Sequence, residues 1–437
     1  MNIVVVGTGY VGLVSGACFS EFGFAVTCVD KDSDKITSLE KGEIPIYEPG
    51  LDDFVKRNSA GGRLRFTTEL GPAVGAADAV FIAVGTPTRR GDGHADLSFV
   101  FSAAEEVAAH LSGYTVVVTK STVPVGTGQQ VEQVIRKANP DADFDIASNP
   151  EFLREGSAIS DFMRPDRVVV GVQTQRAKEV IRQLYRPLYL IEKPVLFTGL
   201  ETAELIKYAA NAFLAVKISY INQMADLCEK VGANVHDVAK GMGLDNRIGA
   251  KFLHPGPGFG GSCFPKDTLA LVKTAESVDS PVSIVAEVVA YNKARKLEMA
   301  KRVISAFSGD VKGRRLSVLG LAFKPETDDM RESPAIELIK ELMAVGAVVT
   351  AYDPVAMDEA RQIFAEHILY ADSAHACLDG ADGAIVVTEW NEFRALTPQL
   401  FADLMTGNTL VDLRNIYEPE QMKAVGLNYR SIGRPEA

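Results

Sequence analysis

"MNIVVVGTGYVG", residues 1–12, places a run of β-branched residues directly before a glycine-rich segment. Continuous apolar runs of this kind are typical of a strand that is buried on both faces of a parallel sheet. Gly7, Gly9 and Gly12 have the G-x-G-x-x-G spacing, an apolar helix-like segment follows them, and residues 25–30, "AVTCVD", indicate a second strand. The stretch therefore predicts a βαβ unit with a phosphate-binding turn between its first strand and its helix.

The end of the second predicted strand carries an acidic residue, Asp30, eighteen residues after Gly12. A carboxylate at this place in a βαβ unit accepts hydrogen bonds from the ribose hydroxyls of a bound dinucleotide. It would also repel a 2′-phosphate, so the pattern favours NAD over NADP. The alternative, a glycine-rich turn without a ligand, leaves the joint placement of strand, glycines, helix and Asp30 unexplained.

The composition limits the classes of function. The chain has 437 residues, 47% of them hydrophobic, and a formal net charge of −12. Its length predicts two or three domains. The acidic balance argues against nucleic acid or an anionic membrane as the main partner, but it leaves room for an anionic small substrate.

Cysteine and histidine usage predicts a reducing compartment and no metal site. The six histidines lack metal-ligand spacing, and the odd number of cysteines argues against a disulfide framework. No apolar run has the length of a membrane span, and a core strand from the second residue predicts the absence of a signal peptide. We therefore expect a cytoplasmic protein. The cysteines are Cys18, Cys28, Cys228, Cys263 and Cys377.

Further strand-like runs extend the first sheet over residues 79–87, 115–124 and 145–152, and each ends in turn or polar residues. Open α/β sheets place their ligands at such strand ends. Residues 201–231 contain no Pro or Gly and repeat apolar residues at helical spacing. They predict a helix of roughly 45 Å, which would join two domains and offer a face for oligomerisation.

A second α/β region begins near residue 314 and echoes the first, with Asp353 in the place of Asp30 but without the G-x-G-x-x-G spacing. The predicted fold class is therefore α/β, with two Rossmann-like doubly wound domains joined by a long central helix and a helical middle domain. The expected bounds are 1–198 for the dinucleotide-binding domain, 199–305 for the central domain and 306–437 for the second Rossmann-like domain.

Residues 254–267, "HPGPGFGGSCFPKD", combine three prolines, four glycines and one cysteine. If a helix begins at Ser262, Cys263 and Asp267 lie one turn apart and Pro265 falls in the first turn, where its missing N–H costs nothing. A helix N-terminus next to a lysine favours the thiolate of a cysteine. We interpret Cys263 as reactive and the other four cysteines as buried, inert thiols.

Other candidate residues are individually weaker. Lys207 and Asn211 share one face of the long predicted helix, although charges on such helices usually face water. Glu151 and Glu155 follow a strand-like run, where a carboxylate can serve as a base or contact a cofactor. Three basic residues in turn-rich segments are, taken singly, ordinary solvated charges: Arg247, Lys324 and Arg331.

Seven segments together resemble the UDP-glucose 6-dehydrogenase family along essentially the whole chain. The related GDP-mannose and UDP-N-acetylmannosamine dehydrogenases share the architecture, but "GGSCFPKD" is more similar to the UDP-glucose branch. The segments are "GTGYVG" (7–12), "VGTP" (84–87), "STVPVGT" (121–127), "SNPEFLREG" (148–156), "KYAANAFLAVKISYINQ" (207–223), "FGGSCFPKD" (259–267) and "FKPETDDMRESPA" (323–335).

The resemblance implies an NAD-dependent four-electron oxidation of UDP-glucose to UDP-glucuronate, a product for polysaccharide biosynthesis, and a homodimer. It implies that the third domain binds the UDP-sugar. An aldehyde gives up a second hydride only after a nucleophile has added to it, and covalent catalysis divides that task. Cys263 would form a thiohemiacetal and then a thioester, which is hydrolysed.

The resemblance also implies roles for single residues. Lys207 and Asp267 would stabilise oxyanions and move protons with Asn211 beside them, Glu151 would be the base for hydrolysis, and Thr122 would position water. Arg247 would reach the substrate site of the partner subunit, and His254 would have no catalytic part. The implied cofactor contacts are Gly7, Gly9, Tyr10, Val11, Gly12, Asp30, Lys35, Thr86, Thr122, Glu155, Lys266 and Arg331. The implied substrate contacts are Glu151, Phe152, Leu153, Arg154, Lys207, Asn211, Arg247, Phe252, Leu253, His254, Pro255, Gly256, Phe259, Gly260 and Lys324.

Three alternatives stay open. A two-electron hydroxy-acid dehydrogenase could share the Rossmann domain, the long helix and the Lys/Asn pair, but it has no use for a nucleophilic cysteine. A non-catalytic sensor of NAD and nucleotide-sugar would be expected to lack Lys207, Asp267 or Cys263, and all three are present. The third alternative keeps the chemistry and changes the nucleotide-sugar.

Overall fold

Two open sheets, one in each half of the chain, organise the fold. The computed structural model describes residues 1–89 and 93–435. The chain divides into two compact units: one holds residues 1–210 and 273–280, and the other holds residues 211–272 and the chain from 281 onward. The three domains expected from the sequence stay a prediction, and the last bound of the third, Ala437, lies outside the described residues.

The first unit contains an eight-stranded sheet in the described chain. Its strands are β1 (Asn2–Val6), β2 (Ala25–Val29), β3 (Leu64–Thr67), β4 (Ala79–Ile82), β5 (Thr115–Thr119), β6 (Phe144–Ser148), β7 (Val168–Val172) and β8 (Val195–Thr198). Their order is β3-β2-β1-β4-β5-β6-β7-β8. All neighbours pair in parallel except β6 and β7, which are antiparallel. The order reverses between β1 and β4, which is where doubly wound sheets bind ligands.

The apolar runs of the sequence form the centre of this sheet. Every residue of β4 and β5 is buried, as expected for parallel strands that are covered on both faces. The helices of this part are α1 (Tyr10–Glu21), α2 (Ser33–Glu40), α3 (Leu51–Ala60), α4 (Leu70–Gly75), α5 (Ser98–Ala108), α6 (Thr127–Ala138), α7 (Ala158–Met163), α8 (Gln175–Leu184) and α9 (Arg186–Tyr189).

The long helix expected over residues 201–231 is present as α10 (Leu200–Val231), 32 residues without a break. The absence of Gly and Pro explains its continuity, because both disfavour helix interiors. It contributes its first eleven residues to the first unit and the rest to the second. Three further helices follow: α11 (Val235–Gly243), α12 (Phe264–Ser277) and α13 (Ser283–Ala306).

The second unit contains a six-stranded sheet in the described chain. Its strands are β9 (Arg315–Leu319), β10 (Val348–Tyr352), β11 (Leu369–Tyr370), β12 (Gly383–Val386), β13 (Thr409–Asp412) and β14 (Asn428–Ser431). They pair in parallel in the order β11-β10-β9-β12-β13-β14. The accompanying helices are α14 (Pro334–Ala344), α15 (Met357–Phe364), α16 (Ala374–Leu378), α17 (Asn391–Arg394), α18 (Pro398–Leu404) and α19 (Pro419–Ala424), with a 3₁₀ turn at Ala365–His367. The predicted echo of the first sheet is therefore confirmed.

Asp353 distinguishes the second sheet from the first. It is buried, and its carboxylate accepts hydrogen bonds from the backbone N–H groups of Leu321 and Ala322 and from the indole of Trp390. It also accepts from the N–H groups of Val355 and Ala356. Protein groups use the hydrogen-bonding capacity of the Asp353 carboxylate. This residue therefore holds the loop after β9 in place and is not available to a ribose.

Candidate active site

The glycine-rich turn after β1 has the geometry of a dinucleotide cradle. A side chain at Gly12 would overlap the carbonyl oxygen of Gly7, and a Cβ at Gly7, where φ is +100°, would lie 2.8 Å from the carbonyl oxygen of Ala83. These two glycines are therefore required by packing. A Cβ at Gly9, which precedes α1, would meet open space. A pyrophosphate can approach the first N–H groups of α1 there.

Asp30 lies at the end of β2 beside this turn. Its Oδ2 accepts hydrogen bonds from the N–H of Thr8 at 2.8 Å and from its hydroxyl at 2.7 Å, and the ammonium of Lys35 is 3.6 Å away. Partial burial alone would raise the pKa of Asp30, but these contacts and the Asp32 N–H outweigh it and hold the pKa below its usual value. The carboxylate stays ionised at neutral pH and fits a ribose of NAD.

Tyr10 and Glu48 join the turn to the "SNPEFLREG" segment. The Tyr10 hydroxyl donates to Glu48, whose carboxylate also accepts from the N–H groups of Gly156 at 2.7 Å and Ala158 at 2.8 Å. Glu48 is buried. Sequence reasoning missed it, because its partners are distant in the chain: Tyr10 is 38 residues away, and Gly156 and Ala158 are more than 100 residues away.

The loops after β4 and β5 are tied together at two predicted residues. The Thr86 hydroxyl donates to the carbonyl of Thr122 at 2.9 Å. The neighbouring Ser121 hydroxyl donates to the carbonyl of Val84 at 2.6 Å. Both loops lie at the carboxyl edge of the first sheet, where ligands of open α/β sheets bind.

A buried ion pair joins the loop after β6 to the long helix α10. The Lys207 ammonium lies 3.0 Å from Oε1 of Glu151, and the side chains are only 3% and 5% exposed. The other carboxylate oxygen of Glu151 accepts the N–H of Leu153. Burying two charges costs free energy unless they are paired. The ammonium and the carboxylate therefore hold each other in position.

Lys120, which sequence reasoning missed, is a third charge beside this pair. Burial lowers its pKa to about 8, Glu151 opposes the shift, and the like charge of Lys207 adds to it. Its ammonium donates to Oδ1 of Asn149 at 3.2 Å. A lysine directly after the buried strand β5 was the available sequence signal.

Phe152, in the same "SNPEFLREG" segment, lies beside the pair. The Phe152 ring centroid lies 3.7 Å from the Arg167 guanidinium and 5.4 Å from the Lys207 ammonium. Arg154 is exposed and forms a two-pronged ion pair with Asp161. The structure brings Glu151, Phe152 and Lys207 together, whereas Arg154 is directed to Asp161.

In the second unit, the side chains of Asn211 and Asp267 are in direct contact. The Asn211 amide donates to Oδ2 of Asp267 at 2.7 Å, and the Lys266 ammonium lies 2.6 Å from Oδ1. Asp267 is buried. Both carboxylate oxygens thus accept a hydrogen bond, which orients the group.

Cys263 immediately precedes α12. The helix begins at Phe264 rather than at Ser262, and the Cys263 carbonyl accepts the N–H of Asp267 at 2.8 Å. The thiol is partly exposed and lies 3.6 Å from the Ser262 hydroxyl. The expectation of a helix start at Ser262 is wrong by two residues, but Cys263 keeps its place at a helix N-terminus, where a thiolate is favoured.

The other four cysteines are buried. Burial raises the pKa of Cys28 and of Cys377 to about 12 and raises those of Cys18 and Cys228. At neutral pH these four thiols therefore stay protonated. Among the five cysteines, only Cys263 is both partly exposed and placed at a helix N-terminus.

The loop before Cys263 is shaped by close packing. A side chain at Gly260 would overlap the carbonyl oxygen of Glu332, and a Cβ at Gly261, where φ is +81°, would lie within 3 Å of the Phe323 ring. Phe252 has a φ of +65°, which is unusual for a bulky residue. Strained backbone of this kind concentrates at functional sites.

The remaining predicted contacts are spread over the second unit. Leu253, Pro255, Gly256 and Phe259 are buried, whereas His254 is exposed. Lys324 is partly exposed, with its ammonium 5.6 Å from the Phe323 ring centroid. Arg331 and Arg247 form ion pairs with Asp329 and Asp245. Part of the positive charge expected for a diphosphate is therefore shared with carboxylates.

Within residues 1–89 and 93–435, no group of three His, Cys, Asp or Glu side chains is placed to hold a metal ion. Over the same ranges, no helix combines the length and apolarity that a membrane span needs.

The cradle after β1, Asp30 and two sheets of Rossmann order define an NAD-dependent oxidoreductase. Sequence comparison identifies which one. The chain belongs to the UDP-glucose/GDP-mannose dehydrogenase family, whose NAD binding, central and UDP binding domain models match residues 1–189, 201–294 and 317–419.

Individual relatives agree with this assignment. The chain is 59% identical, over 100% of both chains, to a UDP-glucose 6-dehydrogenase of Rhizobium meliloti (strain 1021). A UDP-glucose dehydrogenase structure from Pyrobaculum islandicum superposes with a TM-score of 0.91 at 38% identity and covers 98% of this chain and 96% of that one. A UDP-D-ManNAc dehydrogenase from Pyrococcus horikoshii superposes with a TM-score of 0.86 at 26% identity, with 99% of each chain covered. The resemblance noted from the sequence is confirmed.

Proposed function

We propose that the protein converts UDP-glucose, two NAD⁺ and water into UDP-glucuronate, two NADH and three protons through covalent intermediates on Cys263. One observation carries the proposal: Cys263 is a partly exposed thiol at the N-terminus of α12, one helical turn before the buried, oriented carboxylate of Asp267. A two-electron dehydrogenase has no use for such a thiol.

The residues of the cradle fit NAD. The N–H groups that open α1 would hold the pyrophosphate and Asp30 a ribose, while the resemblance assigns Tyr10, Val11, Lys35, Thr86, Thr122, Glu155, Lys266 and Arg331 to further contacts. When bound, NAD accepts the hydride in each of the two oxidations. All other chemistry is assigned to side chains of this protein.

The first oxidation takes the C6 alcohol of the sugar to an aldehyde and needs a base for the hydroxyl proton. We assign proton transfer and oxyanion stabilisation to Lys207 and Asp267, with Asn211 orienting the aspartate. The Cys263 thiolate then adds to the aldehyde carbon and forms a C–S bond. The resulting thiohemiacetal carries the hydrogen that leaves as hydride in the second oxidation.

The second oxidation leaves a thioester of Cys263. Water attacks the thioester carbonyl, the C–S bond breaks, and the sulfur departs as thiolate with the carboxylate as product. We assign Glu151 as the base that takes the proton of this water and Thr122 as a residue that positions it. The Lys207 ammonium, 3.0 Å from Oε1 of Glu151, supports the assignment because it fixes the position of this carboxylate.

The remaining assignments concern substrate contact. We propose that Phe152, Leu153, Arg154, Lys324 and the residues from Phe252 to Gly256 and from Phe259 to Gly260 bind the UDP-sugar, and that the domains are residues 1–198, 199–305 and 306–437. The three family models support this division. A working thiolate needs a reducing environment, so we propose the cytoplasm as its compartment.

The test of the reaction is the number of NADH molecules formed per molecule of UDP-glucose consumed. We expect two, measured by absorbance at the end point with UDP-glucose limiting. One NADH per sugar would contradict the four-electron reaction. Activity with UDP-N-acetylmannosamine or GDP-mannose instead would retain the chemistry and correct the sugar, which is a relevant control because the Pyrococcus horikoshii neighbour is a UDP-D-ManNAc dehydrogenase.

We further propose a homodimer formed through α10. Phe213, Tyr220 and Leu227 lie seven residues apart on this helix and are 63%, 46% and 52% exposed. This spacing puts them on one face, and an exposed row of large apolar side chains is typical of a protein interface. Arg247, whose side chain is 89% exposed, is available to reach a partner's substrate site.

Leu227→Glu is expected to shift the protein from dimer toward monomer, because it places a charge in the apolar row, and to reduce activity by removing the partner's Arg247. Light scattering after size exclusion gives the mass, against 47.1 kDa for one chain. Leu190→Glu is the control, because Leu190 is 85% exposed and lies outside α10. A Leu227→Glu protein with wild-type mass would exclude this interface.

A further inference from the structure

Three side chains on one face of α13 hydrogen-bond to backbone groups. Two of them bind the loop that leads to Cys263, and the third binds Glu332, on which that loop packs. Asn292, Arg295 and Lys296 are three and four residues apart, and all three are buried. Asn292 reaches Phe259, Arg295 reaches Gly256, and Lys296 donates to the carbonyl of Glu332 at 2.7 Å. We call residues 254–263 the thiol loop.

Asn292 makes the most complete of these contacts. Its Oδ1 accepts the N–H of Phe259 at 2.8 Å, and its Nδ2 donates to the carbonyl of the same residue at 2.9 Å. The side-chain amide thus pairs with Phe259 as a neighbouring strand would. Buried hydrogen bonds of this kind cannot be replaced by water without rearrangement.

The sequence of the thiol loop fits the Asn292 amide. Gly258 has a φ of +114°, and a Cβ there would lie 2.9 Å from Oδ1 of Asn292. A glycine at this position therefore lets the amide and the loop backbone approach each other. The positive φ and the contact with Asn292 together explain the glycine at residue 258.

Gly256, three residues before Phe259, is a second point at which side chains hold the thiol loop. Its carbonyl accepts from Nε of Arg295 at 2.7 Å, and its N–H donates to Oδ1 of Asn222 at 2.8 Å. Arg295 is itself held by Asp226 at 2.9 Å. The thiol loop is therefore attached by side chains at Gly256 and at Phe259, which lies four residues before Cys263, and by the Gly261 N–H, which donates to the carbonyl of Arg331 at 2.8 Å.

We propose that Asn292 is a positioning residue of the reaction, which acts through Phe259 to fix the thiol loop and with it the direction of the Cys263 sulfur. This inference rests on the proposed function. A backbone with four glycines and three prolines over residues 254–267 has few side-chain contacts of its own, so external anchors must supply its order. Misplacing a reacting group by about 1 Å can lower a rate on the order of 10²-fold.

The test compares Asn292→Ala with Asn415→Ala. Asn415 is also buried in the second unit, and its amide makes the same double contact, with the N–H of Ile432 at 2.9 Å and its carbonyl at 2.7 Å. Each variant therefore loses one double contact of this kind, and Asn415→Ala also loses the contact of the Asn415 amide with the His236 ring at 3.2 Å. Both are compared for melting temperature, for kcat/KM with UDP-glucose, for the KM of NAD, and for the pH profile of Cys263 alkylation by iodoacetamide.

We expect both variants to lower the melting temperature, and Asn415→Ala to lower it more, because Asn415 has a φ of +55°, which alanine adopts less readily than asparagine. Asn292→Ala is expected to lower kcat/KM for UDP-glucose about 10- to 100-fold with the KM of NAD within twofold, and to change the alkylation profile. Asn415→Ala is expected to keep the wild-type values of both. Equal kinetic losses in the two variants, or wild-type kinetics and alkylation in Asn292→Ala, would overturn the proposal.

The experiment also covers two cases: an Asn292→Ala protein that does not fold, and a wild type that does not oxidise UDP-glucose. If Asn292→Ala does not fold, the isosteric Asn292→Asp takes its place, because it keeps the acceptor for the Phe259 N–H and loses the donor to the carbonyl. If the wild type does not oxidise UDP-glucose, the proposed function fails. The alkylation profile needs no substrate and then decides the role of Asn292 alone.

Discussion

Cys263→Ser is expected to abolish sustained NADH formation from UDP-glucose, with kcat lower on the order of 10³-fold or more. A thiol at a helix N-terminus is ionised far more readily than a hydroxyl, so serine cannot add to the aldehyde at a comparable rate. Hydride transfer from the alcohol needs no sulfur and should survive. The variant should therefore produce a single burst of no more than one NADH per active site.

Stopped-flow absorbance separates the burst from the steady state. Cys228→Ser is the control, because Cys228 is buried in the same compact unit and burial raises its pKa. Sustained turnover by Cys263→Ser at more than a tenth of the wild-type rate would exclude the covalent route. The two-electron alternative would then regain support.

Much of the fold was predictable because parallel strands bury both faces. The residues of β4 and β5 have no solvent side, so β4 is apolar throughout and β5 has three consecutive valines between two threonines. Pairing partners are a different matter. β6 and β7 pair in an antiparallel way, and the residues of neither strand indicate this direction. The direction depends on the path of the segment that connects the two strands.

The start of α12 shows where local reasoning fails. Helix propensity allows a start at Ser262, but the N–H of Gly261 donates to the Arg331 carbonyl at 2.8 Å, and Gly260 packs on Glu332. These contacts with a segment 70 residues away fix the backbone at Gly260 and Gly261, directly before Ser262. Tertiary packing therefore decided the boundary, as it often does.

The residues that sequence reasoning missed share one property: their partners are distant in the chain. Glu204 accepts the N–H groups of Gly126 and Gly128 at 2.7 and 2.8 Å and so caps the start of α6. Burial raises its pKa, although these hydrogen bonds oppose the shift. Glu204 lies one helical turn before Lys207 on a largely apolar helix face. A second charged residue at that spacing was the sequence signal that could have identified Glu204.

Lys207→Met is expected to have the second large effect, on stability and on activity together. It leaves the Glu151 carboxylate buried without its ion-pair partner, which typically costs about 3–5 kcal/mol of unfolding free energy. The nearby Lys120 ammonium offsets part of this cost, because the loss of a like charge raises the pKa of Lys120 and keeps it protonated. We therefore expect the lower end of that range in urea unfolding.

Activity should fall on the order of 10²- to 10³-fold, as for other removed oxyanion-stabilising groups. The double variant Lys207→Met/Glu151→Gln separates the two effects. It removes both buried charges, and such replacements are often neutral for stability, so unfolding should return toward the wild-type value. Turnover should stay low, because both assigned groups are absent. Recovery of turnover together with stability would show that the pair supports only the fold, and the proton-transfer roles assigned to Lys207 and Glu151 would have to be abandoned.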